Sequence, residues 1–277
     1  MNQKAFLAVL CSATIAGASG VFIKNVSMPA TSIAFVRTAL PTLLLGSFLL
    51  ISGTRLFRGN YKLMLGGSLF NVMRIYLYFI AYIYTSISKA VIIQFSWPIF
   101  VTIFSIIFLK EVVSRRNLFL LLLSFTGLII VFGKQEFTFD NKDLVGMMAA
   151  LGVAVTYAVT VVIFKKGTEE FSSPEIIFYQ NLIGMLVFFP FIMFTDPPPL
   201  LRDIGIISIY AVLMGIIGFM FFFYGLKHLK ASTASMLAYI EIVSAFLFGF
   251  FLLNETITWN MLLGGGIIIM TTALLRR

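Results

Sequence analysis

The chain is a succession of ten apolar stretches separated by short breaks where charges, proline and glycine collect. The stretches cover roughly 4–23, 30–51, 62–84, 88–109, 116–133, 143–165, 174–195, 203–226, 232–253 and 259–275. A helix crossing hydrocarbon needs about 17–25 such residues, and every stretch meets that length. A soluble fold is excluded, because hardly any segment keeps a polar face for water. Of 277 residues, 60% are hydrophobic and 11% charged, against about 25% charged in an ordinary soluble domain. The expected fold is all-α and integral to the membrane, with ten transmembrane helices.

The first stretch has the basic residue and apolar run of a signal peptide, with Ala-Gly-Ala-Ser-Gly at 16–20. More than 200 equally apolar residues follow, so it reads as the first membrane helix. The formal net charge is +9, but the basic residues are scattered between the apolar stretches. That is the pattern of positive loops beside a membrane, and no nucleic-acid partner is expected. With the N-terminus inside, thirteen Lys and Arg fall on the inner side and five on the outer. Both termini are therefore expected in the cytoplasm, in a bacterial inner membrane. Cys11 is the sole cysteine, which rules out an intrachain disulfide.

An internal repeat organises the chain. Lys110-Glu111 closes one apolar stretch and Asn254-Glu255 another, 144 positions later. At this offset Ala90 meets Ala234, Trp97 meets Glu241 and Pro98 meets Ile242. One position shorter, Phe35-Val36-Arg37 meets Phe178-Tyr179-Gln180. Each half, 1–137 and 138–277, then holds five helices. Five is odd, so the second half enters the membrane from the opposite face. Inverted repeats of this kind serve transporters that alternate access around a site near the bilayer midplane.

These features resemble the ten-helix, EamA-like members of the drug/metabolite transporter superfamily. The resemblance rests on Pro98 thirteen residues before Glu111, on Gly127 sixteen beyond it, and on the echo Ile242, Glu255 and Gly264. Phe35-Val36-Arg37 and Tyr224-Gly225-Leu226 resemble the family's helix-two and helix-eight segments. The second half has Ile242 where the pattern has proline, so nothing in its sequence calls for a kink in helix nine. The resemblance covers nearly the whole chain. It implies a secondary transporter of amino acids, nucleotide-like metabolites or drugs, working by exchange or with protons.

Away from the ends of the expected spans, three ionised side chains remain: Arg37, Arg74 and Glu241. A charge such as Arg at a helix centre costs roughly 2.5–3.5 kcal/mol on insertion scales, so such residues are expected to face a cavity or a partner. Glu241 could bind a substrate ammonium or carry a proton; it could equally be half of a buried pair with Arg37 or Arg74. Arg74 could hold a carboxylate bidentately, whereas Arg37 lies nearer a helix end and could snorkel. Tyr78 and Tyr82 share a helix face with Arg74, and Asn71 extends that stripe by one turn. In helix four Pro98 frees the carbonyl of Gln94, beside Trp97. An aromatic face near an acid suits a cationic or aromatic solute. Tyr157, Asn181 and Tyr239 are further candidates. Glu111 and Glu255 read as structural residues that cap the following helix or pair locally.

No metal-ligand set, P-loop or nucleophile elbow appears, so no cofactor and no enzymatic activity are expected. The expected partners are a small-molecule solute, the bilayer, and a proton or exchanged solute, with the chain a monomer or homodimer. The alternative is a flippase or membrane enzyme acting on a lipid-linked substrate. It calls for acidic residues in loops near the headgroups, whereas here the loops are short and the unusual charges lie deep.

Overall fold

In the computed structural model the described residues, 2–133 and 141–275, form ten helices and no strand. They are α1 Gln3–Lys24, α2 Ala30–Ile51, α3 Tyr61–Tyr84, α4 Ile87–Phe108, α5 Arg115–Phe132, α6 Asn141–Gly167, α7 Ser173–Met193, α8 Leu201–His228, α9 Ala231–Leu253 and α10 Trp259–Leu275. Nine are long and apolar enough to span a bilayer, and α10 is a shorter apolar helix. The boundary between the halves at 137/138 lies outside the described residues, as do Lys134, Arg276 and Arg277 of the charge balance. The surface carries large apolar side chains along its flanks, including Leu43, Phe48, Phe108, Phe119, Phe251 and Leu263. A soluble monomer rarely exposes so much continuous apolar surface; here it meets lipid.

The packing has its own internal symmetry. Helix α1 lies on α8 and α3 on α6, while α2 pairs with α7, α4 with α9 and α5 with α10. Exchanging each helix of one half for its counterpart in the other maps this set of pairs onto itself. Small residues allow the closest approaches, as expected where helices associate through packing in lipid. A Cβ on Gly127 would sit 2.9 Å from the carbonyl oxygen of Gly264, and one on Gly264 would strike the carbonyl of Gly127. Nearby, Ser124 Oγ donates to Thr271 Oγ1 at 2.7 Å. On α1, a Cβ at Gly17 would meet Ala245 N at 2.7 Å and Glu241 O at 2.8 Å, so α1 can reach α9 only with glycine there.

Besides a turn at Ala18 within α1, two helices are broken at equivalent places. In α4 the helix stops at Gln94 and restarts at Trp97. In α9 it stops at Leu237 and restarts at Ile240. Phe95 and Tyr239, one in each break, are 144 positions apart. Pro98 accounts for the first break by removing a donor. The second occurs without proline, against the reading from Ile242. Its turn is held by tight bonds, Glu241 N to Ala238 O at 2.9 Å and Ile242 N to Tyr239 O at 3.1 Å. The two breaks are joined directly: Tyr239 donates its hydroxyl to the carbonyl of Phe95 at 3.0 Å. The bridged carbonyl is therefore that of Phe95, one residue beyond the Gln94 carbonyl expected from Pro98. Helix α8 has an irregularity of its own, a π-helical segment over Ala211–Gly218; such segments often mark functional sites.

Candidate functional site

A cavity of about 290 Å³ lies between the halves. Its lining begins at Ile23 and Ala30, which are exposed where α1 ends and α2 begins. It continues inward to Trp97, Tyr157, Phe219 and Glu241. No lining residue comes from the opposite end of the bundle, so the cavity is a vestibule entered from one face.

Each element contributes for a local reason. Helix α2 presents Ala30, Ile33, Ala34 and Arg37, a helical face at steps of three and one. Helix α3 presents Arg74 and Tyr78, four residues apart, and the break in α4 presents Gln94, Phe95 and Trp97. Helix α6 supplies Tyr157, whose ring meets Trp97 edge to face at 4.7 Å. Helix α8 supplies Tyr210, just before the π-helical segment. Glu241 enters from the first turn of the α9 restart.

The charges are arranged without mutual neutralisation. No Lys or Arg nitrogen among the described residues lies within 4.0 Å of the Glu241 carboxylate, so the alternative of a buried pair with Arg37 or Arg74 is not what the fold adopts. Arg74 is held from behind, its Nε and Nη2 donating to Asn71 Oδ1 at 3.2 and 3.1 Å. Its guanidinium carbon sits 4.8 Å from the ring centre of Tyr157. Arg37 reaches the cavity rather than snorkelling, with its guanidinium 5.7 Å from the ring centre of Tyr210. A cation over an aromatic face is attracted by the ring quadrupole without acquiring a counter-charge. In a site walled by apolar helices these charges act with less screening than in water.

The other sequence candidates take different places. Asn71 is buried and does not line the cavity; its amide donates to Gln180 O at 3.1 Å while its oxygen orients Arg74. Tyr82 lies behind the lining, its ring 4.3 Å from that of Tyr78 and its hydroxyl accepting from Gln94 Nε2 at 3.2 Å. Asn181 folds back onto its own helix, donating to Ile177 O at 2.8 Å. Tyr239 is fully buried and serves the α4 break. Tyr210, Met214 and Phe219 line the cavity without having been singled out. Phe219 belongs to the Phe219–Phe223 run, of which Phe219, Phe222 and Phe223 are buried. A lone tyrosine in an apolar stretch was the available signal for Tyr210. A second cavity of about 280 Å³, lined by apolar side chains and Lys166, shares no residue with the first.

The end of the bundle opposite the vestibule is closed by polar contacts. Glu111 accepts from Ala231 N at 2.7 Å, Ser232 N at 3.3 Å and Ser232 Oγ at 3.1 Å. It thus caps α9, not the following helix α5. Lys165 Nζ donates to Leu226 O at 2.6 Å and Leu229 O at 2.8 Å, and Arg58 pairs with Glu175 at 2.9 Å. At the vestibule end Glu255 pairs with Lys24, and Lys89 pairs with Asp143 at 2.9 Å.

The model of the EamA-like transporter family matches residues 3–133 and again 144–277, one match to each half. The chain belongs to the EamA-like transporter family. This EamA-like protein is 29% identical over 264 residues to an uncharacterized transporter of Archaeoglobus fulgidus, covering 95% of this chain and 92% of that one. It is 26% identical over 281 residues to the pseudopaline exporter CntI of Pseudomonas aeruginosa, covering 100% and 97%. Mouse solute carrier family 35 member G1 is 26% identical, covering 94% of this chain and 75% of its own. A crystal structure with 17% sequence identity superposes with a TM-score of 0.82 over 99% of the EamA-like chain and 96% of its own, which shows a shared fold. Family and architecture together make this an integral membrane transporter of small solutes, with ten helices in two inverted five-helix repeats.

Proposed function

We propose that this EamA-like protein is a secondary transporter that carries a small zwitterion, an amino acid or related metabolite, across the cytoplasmic membrane by alternating access. Both termini lie in the cytoplasm, and the halves 1–137 and 138–277 move against each other around the site. The observation that carries the reading is one vestibule, open at one end only, holding a carboxylate and two guanidiniums that form no pair with each other. Unpaired charges kept this deep in an apolar bundle belong beside something polar that passes. Glu241 receives the ammonium, Arg74 and Arg37 receive acidic groups, and Trp97, Tyr157 and Tyr78 contact the body of the solute. Transport is driven by a proton or by an exchanged solute. Tyr239 and Asn181, buried in bonds of their own, support the helices that carry the site.

Counterflow of radiolabelled amino acids in proteoliposomes tests this. Glu241→Gln is expected to reduce uptake at least about 30-fold, since truncating one partner of a buried charged contact costs roughly 2–5 kcal/mol. Undiminished counterflow in that variant would remove Glu241 from the site. Collapse of uptake on dissipating a pH gradient would identify the proton as driver; persistence would leave exchange.

A further inference from the structure

The vestibule's balance of charge narrows the kind of zwitterion it takes. An ordinary amino acid has one ammonium and one carboxylate. Had Glu241 paired with either arginine, such a solute would meet one guanidinium and little else. The structure instead presents three separate ionic heads from three helices: Arg37 on α2, Arg74 on α3 and Glu241 on α9. Each guanidinium is fixed by groups that bring no negative charge: Asn71 and the Tyr157 ring for Arg74, the Tyr210 ring for Arg37. The vestibule therefore presents two cationic positions and one anionic one. A solute with a single carboxylate would leave one guanidinium without a counter-charge in a poorly solvated site, which is unfavourable.

We infer that the preferred solute is an amino dicarboxylate: one cationic nitrogen set against Glu241 and two distinct carboxylates, one for each arginine. Each guanidinium fork can engage its own carboxylate bidentately, so two carboxylates give both arginines a counter-charge. Trp97, Tyr157 and Phe219 leave room for an apolar body between these heads. This inference rests on the transport of a zwitterion proposed above and adds the count and kind of its charges.

The test is binding of three size-matched probes to the detergent-purified full chain, by thermal shift and by equilibrium titration. L-Glutamate has both carboxylates and the amine, L-glutamine lacks one carboxylate, and glutarate lacks the amine. L-Glutamate is expected to bind about tenfold or more tightly than either, the equivalent of one lost charged contact. Arg37→Gln should abolish the preference for L-glutamate over L-glutamine, since one cationic position then remains for one carboxylate. Glu241→Gln should likewise abolish the preference over glutarate. The Arg37 guanidinium makes no hydrogen bond to the other described residues, so its replacement strips none from the fold. L-Glutamine binding as well as L-glutamate, glutarate binding as well as L-glutamate, or no binding of any of the three would each overturn the inference. Counterflow of L-glutamine with no preference for L-glutamate would overturn it and leave the transporter reading standing. Proteoliposomes that counterflow no solute would overturn the transporter reading itself.

Discussion

The two ends of the bundle are built from the same turn and put it to different use. At the Glu111 end Lys110 adopts the left-handed conformation, with φ 54°; at the Glu255 end Asn254 does so, with φ 55°. Glu111 N bonds to Ser105 O at 3.1 Å, and Glu255 N bonds to Gly249 O at 3.1 Å, again 144 positions on. The carboxylates then part ways. Glu111 takes the amides of Ala231 and Ser232 at the start of α9 and ties the halves together. The counterparts of those residues are Ile87 and Ser88 at the start of α4, and Glu255 is not on them; it pairs with Lys24. Ala231 is 0% exposed, while Ile87 is 66% exposed. The difference teaches that one local motif has two settings. With its acid on a helix N-terminus of the other half an end is sealed, and with its acid elsewhere that end is open. Under the alternating access proposed above, the two glutamates would exchange settings.

The comparison breaks or sharpens on the accessibility of a cysteine at Ile33, which lines the vestibule, in a Cys11→Ser background. The readout is its reaction rate with a membrane-impermeant maleimide. The largest effects are expected from the acids, and with opposite signs. Glu111→Gln should slow labelling about tenfold, because the sealed end loses charged bonds worth roughly 1.5–3 kcal/mol. Glu255→Gln should speed it by a somewhat smaller factor, because the opposite-facing state loses its cap while this one loses only the exposed pair with Lys24. A shift in the same direction for both would show that the acids serve stability alone. The hydroxyls should follow with about fivefold changes, the worth of one ordinary hydrogen bond. Ser232→Ala should slow labelling, since Ser232 Oγ donates to Glu111, and Ser88→Ala should speed it. Lys24→Gln is expected to have the smallest effect, slowing labelling by no more than about fivefold, because an exposed pair is worth at most about 1 kcal/mol. Raising the salt concentration should reproduce its direction in the unaltered chain and do nothing further in Lys24→Gln.

The helices were legible because span length and hydropathy are properties of contiguous residues. The repeat was legible because Lys110-Glu111 and Asn254-Glu255 stand at matching ends. The break in α4 had Pro98 to announce it. The break in α9 had no such marker: Ile242 permits a straight helix, and the bend is stabilised by long-range contacts, among them Tyr239 with Phe95. Helical spacing put Asn71 on the face of Arg74, yet it turns toward Gln180 of α7. Spacing along one helix says nothing about how deeply a neighbouring helix covers that face. Tyr210 was hidden for a related reason, since a single tyrosine in an apolar run has no period to reveal it. Arg37 looked peripheral from its distance to a helix end, yet the vestibule begins at that end and its lining includes Arg37.

The hydroxyl of Tyr239 resting on the carbonyl of Phe95 has a mechanical consequence. Phe95 and Tyr239 are equivalent positions of the two breaks, 144 residues apart, and a contact between equivalents falls close to the line that relates the halves. When two bodies swap tilts about a line, atoms on that line stay put while displacement grows with distance from it. Under the alternating access proposed above, this bond would survive each half-cycle unstretched, a hinge pin around which both extremities swing. Removing it with Tyr239→Phe would leave the same two end states but a looser bearing between them.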